Sequence, residues 1–191
     1  MNTKYSNNTS IAVEEADSTN AADYFEYDST VIQQGSEPAN AMNRIYGIVP
    51  KEFKRATRNL ENYPNLENMP VIPLVDLNGK SVGLRFMNLI EGNEINIGNG
   101  NVIFNEQSKS VLLVTEDSQT AFKLSDSKYK ILLVNNLSQN KAQQIKARFN
   151  DICVVTTCDH VRDLKRRLSN LSIKIIGLSL PVDSFTCTKE L

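Results

Sequence analysis

At 191 residues, 40% hydrophobic and 23% charged, the chain has the composition of an ordinary globular domain with an appendage, long enough to bury a core. Its apolar runs fall far short of the roughly 20 residues that span a bilayer, and its polar N-terminus lacks the apolar stretch of a secretory signal, which excludes a membrane partner and points to the cytoplasm. The net charge of −1 is uneven: residues 1–40 carry Lys4 against seven acidic residues, a charge of −6, while the rest carries +5, which permits nucleic-acid binding by the body.

Residues 1–40, rich in Asn, Ser, Thr and acidic residues, are expected to form a disordered acidic tail. Within it Tyr24, Phe25 and Tyr27 stand among acids (AADYFEYD, 21–28). They are anchors for a partner protein, a peptide that folds onto the chain's own basic face, or a tail segment loosely packed on the body. Residues 41–69 read as a short helical region and connector. A helix is expected over 43–60, with Pro50 in a first turn, Phe53, Ala56 and Leu60 on one face, and Lys51, Lys54, Arg55 and Arg58 facing outward.

Residues 70–110 read as a small antiparallel β subdomain of about three strands. Strands over 71–77 and 81–87 flank Asn78-Gly79, a favoured type I′ turn pair in which both residues take positive φ. Pro73 places the first strand at an edge or starts it irregularly. Asn and Gly crowd around Ile95 and Ile97 as turn residues, and 102–104 gives one more short strand.

Residues 111–191 carry the clearest pattern. Four β-branched runs, VLLV (111–114), ILLV (131–134), ICVV (152–155) and IKII (173–176), alternate with helix-like segments. Such runs suit strands covered on both faces of a parallel sheet. The segment 119–124 follows the first. The segment 140–149 follows the second, with Ala142, Ile145 and Phe149 on one face and Lys141, Lys146 and Arg148 off it. Val161, Leu164, Leu168 and Leu171 stripe a third helix, with Arg162, Lys165, Arg166 and Arg167 opposite. Right-handed crossovers then give an α/β fold with an open, mainly parallel sheet flanked by helices. Three cysteines without a C-x-x-C pair, and the single His160, give no zinc site and read as thiols in a reducing compartment.

The order of these pieces resembles the Toprim domain of phage- and plasmid-type DNA primases and primase-helicases, over residues 70–181. In that family a "VIPL-D-DG" hairpin commonly precedes the Toprim strands, and VIPLVDLNGK (71–80) is similar to it. The family's first strand ends in a glutamate followed by glycine and a helix; LLVTEDSQTA (112–121) puts Glu116 at that glutamate. The resemblance implies a catalytic Glu116 and an Mg²⁺ site in an intact enzyme. Chemically, carboxylates beyond the carboxyl ends of parallel strands can hold Mg²⁺ and stabilise charge on a phosphate, while a glutamate beside it moves protons.

The chain departs from that pattern. Asp117 stands where the family has glycine. The third strand should end in a metal-binding Asp-x-Asp pair, and here it ends in TTCDHV (156–161). One alignment puts Cys158 and His160 at the paired positions and the other Asp159 and Val161, so a metal would find Glu116, Asp117 and Asp159. Asp159 also reads as an N-cap of the following basic helix, with His160 at its start. No zinc finger and no G-x-x-x-x-G-K-[ST] loop is present in the sequence.

Three functions follow. The first is a primase-related, Toprim-like accessory protein that binds nucleic acid or a replication protein without catalysis and needs no cofactor. Its phosphate contacts would be Lys51, Lys54, Arg55, Arg58, Lys141, Lys146, Arg148, Arg162, Lys165, Arg166 and Arg167. The second is an Mg-dependent nucleotidyl-transfer or nicking enzyme using Glu116. The third is an inhibitor that acts through Tyr24, Phe25 and Tyr27 of the acidic tail.

Overall fold

The computed structural model describes residues 18–178; expectations for residues 1–17 and 179–191, Cys187 included, fall outside them. The chain divides into two compact units, Met1–Val102 and Ile103–Leu191.

The first unit contains α1 (Ser18–Tyr27), β1 (Ser29–Val31), α2 (Glu37–Tyr46), β2 (Lys54–Ala56), β3 (Pro70–Val75), β4 (Ser81–Asn88) and β5 (Asn93–Gly98). The strands lie in sequence order in one antiparallel sheet. Side chains alternate along β4. Leu84 and Phe86 join Val71, Ile97, Ala56 and Leu66 in a buried cluster, and Tyr24 of α1 completes it. The Tyr24 ring meets Phe86 edge-on, 5.8 Å between centroids at 72°. Arg85 lies on the alternate positions and is buried with its charge matched: Nε donates to Asn96 Oδ1 at 2.9 Å, and Nη1 lies 3.2 Å from Glu94 Oε2. Burial pulls its guanidinium below the usual value, and Glu94 and Tyr46 oppose the shift.

Three expectations need correction in this unit. Residues 18–40 are not a disordered tail: they form α1, β1 and the start of α2. Polar composition misleads there because only one face of α1 is buried, with Tyr24 1% exposed and Ala21 and Phe25 partly covered. Nor is there a helix over 43–60. α2 starts at Glu37, with Pro38 in its first turn, and stops at Gly47, whose N–H bonds Asn43 O at 2.9 Å. Lys54–Ala56 is strand β2, pinned between β1 (Ser29↔Ala56) and β3 (Lys54↔Val71), so tertiary pairing overrides a good local helix pattern. The Asn- and Gly-rich 93–98 segment is likewise strand β5, which raises the sheet to five strands.

The hairpin is where it was expected, but its turn is of another type. Only Gly79 takes positive φ (83°), and Gly79 N–H bonds Asp76 O at 3.1 Å. This is a type I turn closed by a left-handed glycine, with a register shift between Leu74 and Val75. The Asp76 carboxylate fixes it by accepting the N–H groups of Asn78 and Lys80 at 2.8 and 2.9 Å. Pro73 is tolerated in the interior strand β3 because β2 pairs only with Pro70 and Val71. Farther along, Gly83 and Gly98 face each other across β4 and β5: a Cβ on Gly83 would sit 2.3 Å from Ile97 O, so the strands approach closely only because both residues lack one.

The second sheet contains β6 (Val102–Phe104), β7 (Leu112–Thr115), β8 (Lys130–Leu133), β9 (Ile152–Thr157) and β10 (Lys174–Leu178) in the order β10-β9-β7-β8-β6. β7 runs parallel to β8 and β9, and β9 parallel to β10. The connecting helices are α3 (Ser118–Leu124), α4 (Gln139–Arg148) and α5 (Val161–Arg167), the last preceded by a 3-10 turn, Cys158–His160. The expected α/β fold, an antiparallel sheet followed by a mainly parallel one flanked by helices, is therefore present. Leu113, Val114, Ile131, Leu132 and Val155 are fully buried, as strands covered on both faces require.

Candidate functional site

Strand order places the chain's switch point at β7: β8 lies on one side of it and β9 on the other. In an open parallel sheet ligands bind beyond the carboxyl ends at such a point. Glu116 is the first residue after β7. Two further elements converge on it. Leu137, after β8, donates its N–H to Glu116 Oε1 at 2.7 Å. Arg167, at the end of α5, places Nη1 2.9 Å from Oε1 and 3.0 Å from Oε2.

Arg167 is itself held. Its Nη2 donates to Asp163 Oδ2 at 2.7 Å, one helical turn earlier, and Arg166 Nη2 donates to Asp163 Oδ1 at 2.8 Å. Hydrogen bonds from Arg167 and then Arg166 hold the Asp163 carboxyl below its ordinary value. Arg167 is raised, first by its bond to Asp163 and then, against the cost of burial, by Glu116. Carboxylate, guanidinium and second carboxylate thus form a closed chain at the carboxyl end of the sheet.

The other two carboxylates expected beside Glu116 have different work or place. Asp117 caps α3, accepting the Thr120 N–H on Oδ2 at 2.7 Å. Asp159 is exposed within the 3-10 turn; it does not cap α5, whose N-cap position is His160 without a side-chain cap bond. Among the described residues no three His, Cys, Asp or Glu side chains gather into a group that could hold a metal ion. Both oxygens of Glu116 accept from Arg167 in this arrangement.

The expected phosphate contacts divide. Lys54 donates to Phe25 O at 2.8 Å and covers the Phe25 ring at 4.4 Å. Arg58 pairs with Asp28, Nε to Oδ1 at 2.7 Å, and lies over the Tyr24 ring. Lys146 donates to Ser172 O at 2.9 Å. Arg166 and Arg167 face Asp163 and Glu116. Lys51, Arg148, Arg162 and Lys165 are exposed, Arg55 and Lys141 half-buried. The basic face expected over 51–58 does not form as a helix, and two of its four cations hold α1 in place.

The aromatic segment packs against Lys54 and Arg58 of its own unit. Tyr24 is core and donates its hydroxyl hydrogen to Arg58 O, Phe25 packs beside Lys54, and only Tyr27 stands in solvent at 74% exposure. What sequence reasoning missed is the clamp on Glu116. An Asp-x-x-x-Arg spacing at 163–167 signals a helix pair, but nothing in the sequence says that Arg167 also reaches back to residue 116.

No protein-family model matches the chain, and no curated protein matches it. Among solved structures it is similar to the "Structure of the DnaG primase catalytic domain bound to ssDNA", with a TM-score of 0.40 and 14% sequence identity over 81% of this chain. The match spans 60% of that chain's length, and at that level of agreement no chemistry transfers between the two.

Proposed function

We propose that this chain is a primase-related, Toprim-like accessory protein of the phage and plasmid type, which binds nucleic acid and does not use Glu116 for catalysis. The observation that carries the second half is the clamp: Arg167 covers both Glu116 oxygens, and Leu137 N–H takes a further lone pair of Oε1. A carboxylate so engaged is a poor proton carrier and a poor ligand for a hard cation. Support for nucleic-acid binding comes from the exposed cations Lys51, Arg148, Arg162 and Lys165, which engage no carboxylate among the described residues. Phosphate contacts made by such groups are salt-dependent and largely indifferent to sequence.

The test pairs two measurements on the full chain. Anisotropy of a labelled single-stranded oligonucleotide should rise on titration at low salt and fall as salt is added. Nicking and nucleotide-incorporation assays with Mg²⁺ or Mn²⁺ should stay at background, and Glu116→Gln should leave binding unchanged. Metal-dependent turnover that disappears in Glu116→Gln would establish the enzyme reading instead. Absence of binding at low salt would sink the nucleic-acid reading.

A further inference from the structure

The opposite edge of the parallel sheet carries a second cluster. At the amino ends of the strands a concave depression is lined by Lys109, Lys128, Lys130, Arg148 and Phe149, with Asp151 as its one acidic residue. Lys130 begins β8, pairs with Leu112 at the start of β7, and Leu112 N–H bonds Asp151 O at 3.1 Å. Neighbouring strands are about 4.8 Å apart, so these three segments span about 10 Å of continuous surface.

Hydrogen bonds cross-link the backbone around this depression. Asn105, in left-handed backbone (φ 53°), donates its side-chain amide to Ser125 O, Ser127 O and Tyr129 O at 2.8, 2.9 and 3.0 Å. Ser108 and Ser110 both donate hydroxyl hydrogens to Lys128 O, at 2.6 and 2.9 Å. The backbone that carries the cations is thus laced together, while among the described residues Lys109, Lys130 and Arg148 engage no carboxylate and the Lys128 ammonium lies over the Tyr129 ring. Four cations gathered around a single carboxylate, Asp151, repel one another and are stabilised by a further anion.

We infer that this amino-end depression is a binding groove for the phosphates of a single-stranded polynucleotide. The assignment rests on the nucleic-acid reading above and says where that binding occurs. A polynucleotide strand fits because the cations come from the starts of three neighbouring strands, β9, β7 and β8, and because half-buried Phe149 lines the depression with them. A basic groove combined with an aromatic ring is how single strands are held without sequence preference. Three of the four cations escape a search for basic helix faces, because Lys109, Lys128 and Lys130 lie just before or at the start of apolar runs. In a parallel sheet, strand starts share one edge.

The experiment is oligo(dT) anisotropy between about 50 and 200 mM salt on full-length variants, with melting curves to verify folding. Each lost phosphate contact should lower the slope of log affinity against log salt by about 0.7, so Lys109→Gln/Lys128→Gln/Arg148→Gln should lower it by about 2. Phe149→Leu should weaken binding about five-fold or more without changing the slope. Arg162→Gln/Lys165→Gln on α5, outside the groove, should lower the slope by less than the triple variant does. If the edge variant binds as the native chain does, or if only the α5 variant loses affinity, the groove is refuted while nucleic-acid binding stands. If inorganic phosphate or a mononucleotide competes as well as a strand does, the polynucleotide assignment falls. If the native chain binds nothing at low salt, the failure belongs to the proposed function.

Discussion

Replacing Tyr24 separates an aromatic that anchors a partner from one that belongs to the fold. Tyr24 is 1% exposed, its ring packs edge-on against Phe86, and its hydroxyl donates to Arg58 O. Truncating a buried aromatic to alanine costs about 3–5 kcal/mol, transfer and cavity together. Tyr24→Phe removes only the hydroxyl; a net hydrogen bond contributes about 0.5–1.5 kcal/mol, and the exposed Arg58 can rehydrate its carbonyl, which favours the lower end. Urea unfolding followed by far-UV circular dichroism reads both. With a denaturant slope of about 2 kcal/mol per molar, Tyr24→Ala should move the midpoint down by about 2 M and Tyr24→Phe by less than about 1 M. A Tyr24→Ala shift below about 0.5 M would refute the packing argument and return Tyr24 to the role of a free anchor. The phenol supplies a second readout. Burial raises its pKa, Arg58 opposes, so the protonated form favours the fold and its contribution is lost as pH rises above 10.0, the ordinary tyrosine value.

Gly83→Ala should destabilise the first unit by about 1–3 kcal/mol, because its Cβ would sit 2.3 Å from Ile97 O and the strands must separate; a melting curve that matches the native one would contradict the close approach. Asp163 should titrate below 3.8, the ordinary aspartate value, in a carboxyl NMR titration, and return to it in Arg166→Gln/Arg167→Gln. Its folded-state value is depressed, so its stabilising contribution is present above the unfolded value and fades as pH falls through the folded one; a midpoint at or above 3.8 would contradict the clamp.

Strands β7, β8 and β9 are legible because each is buried on both faces and so is written as a short apolar run, as in Ile131–Leu133. The capped turn before α3 is half legible: the pattern locates Glu116, but it offers Asp117 as a metal ligand although an aspartate before a helix satisfies an exposed N–H. The first unit is harder to read. Its strand β2 is three residues long and sits in a segment whose Lys, Glu and Arg content favours helix, so pairing with β1 and β3 decides a contest that local propensity would settle the other way. α1 hides for the converse reason, since one aromatic face among acids is enough for a helix whose docking surface is a ready-made sheet. The Arg167–Glu116 contact joins residues 51 apart, and only the path of the chain across the sheet brings them together.

That contact gives Glu116 a counter-ion tethered by the chain itself. A diffusible cation neutralises a carboxylate only in proportion to its concentration in the medium. A guanidinium delivered by a helix is present at an effective concentration fixed by geometry, whatever the surroundings contain. On the proposed reading, chelators should leave the stability of the second unit where it was. Glu116 braces the loop after β8 against the end of α5.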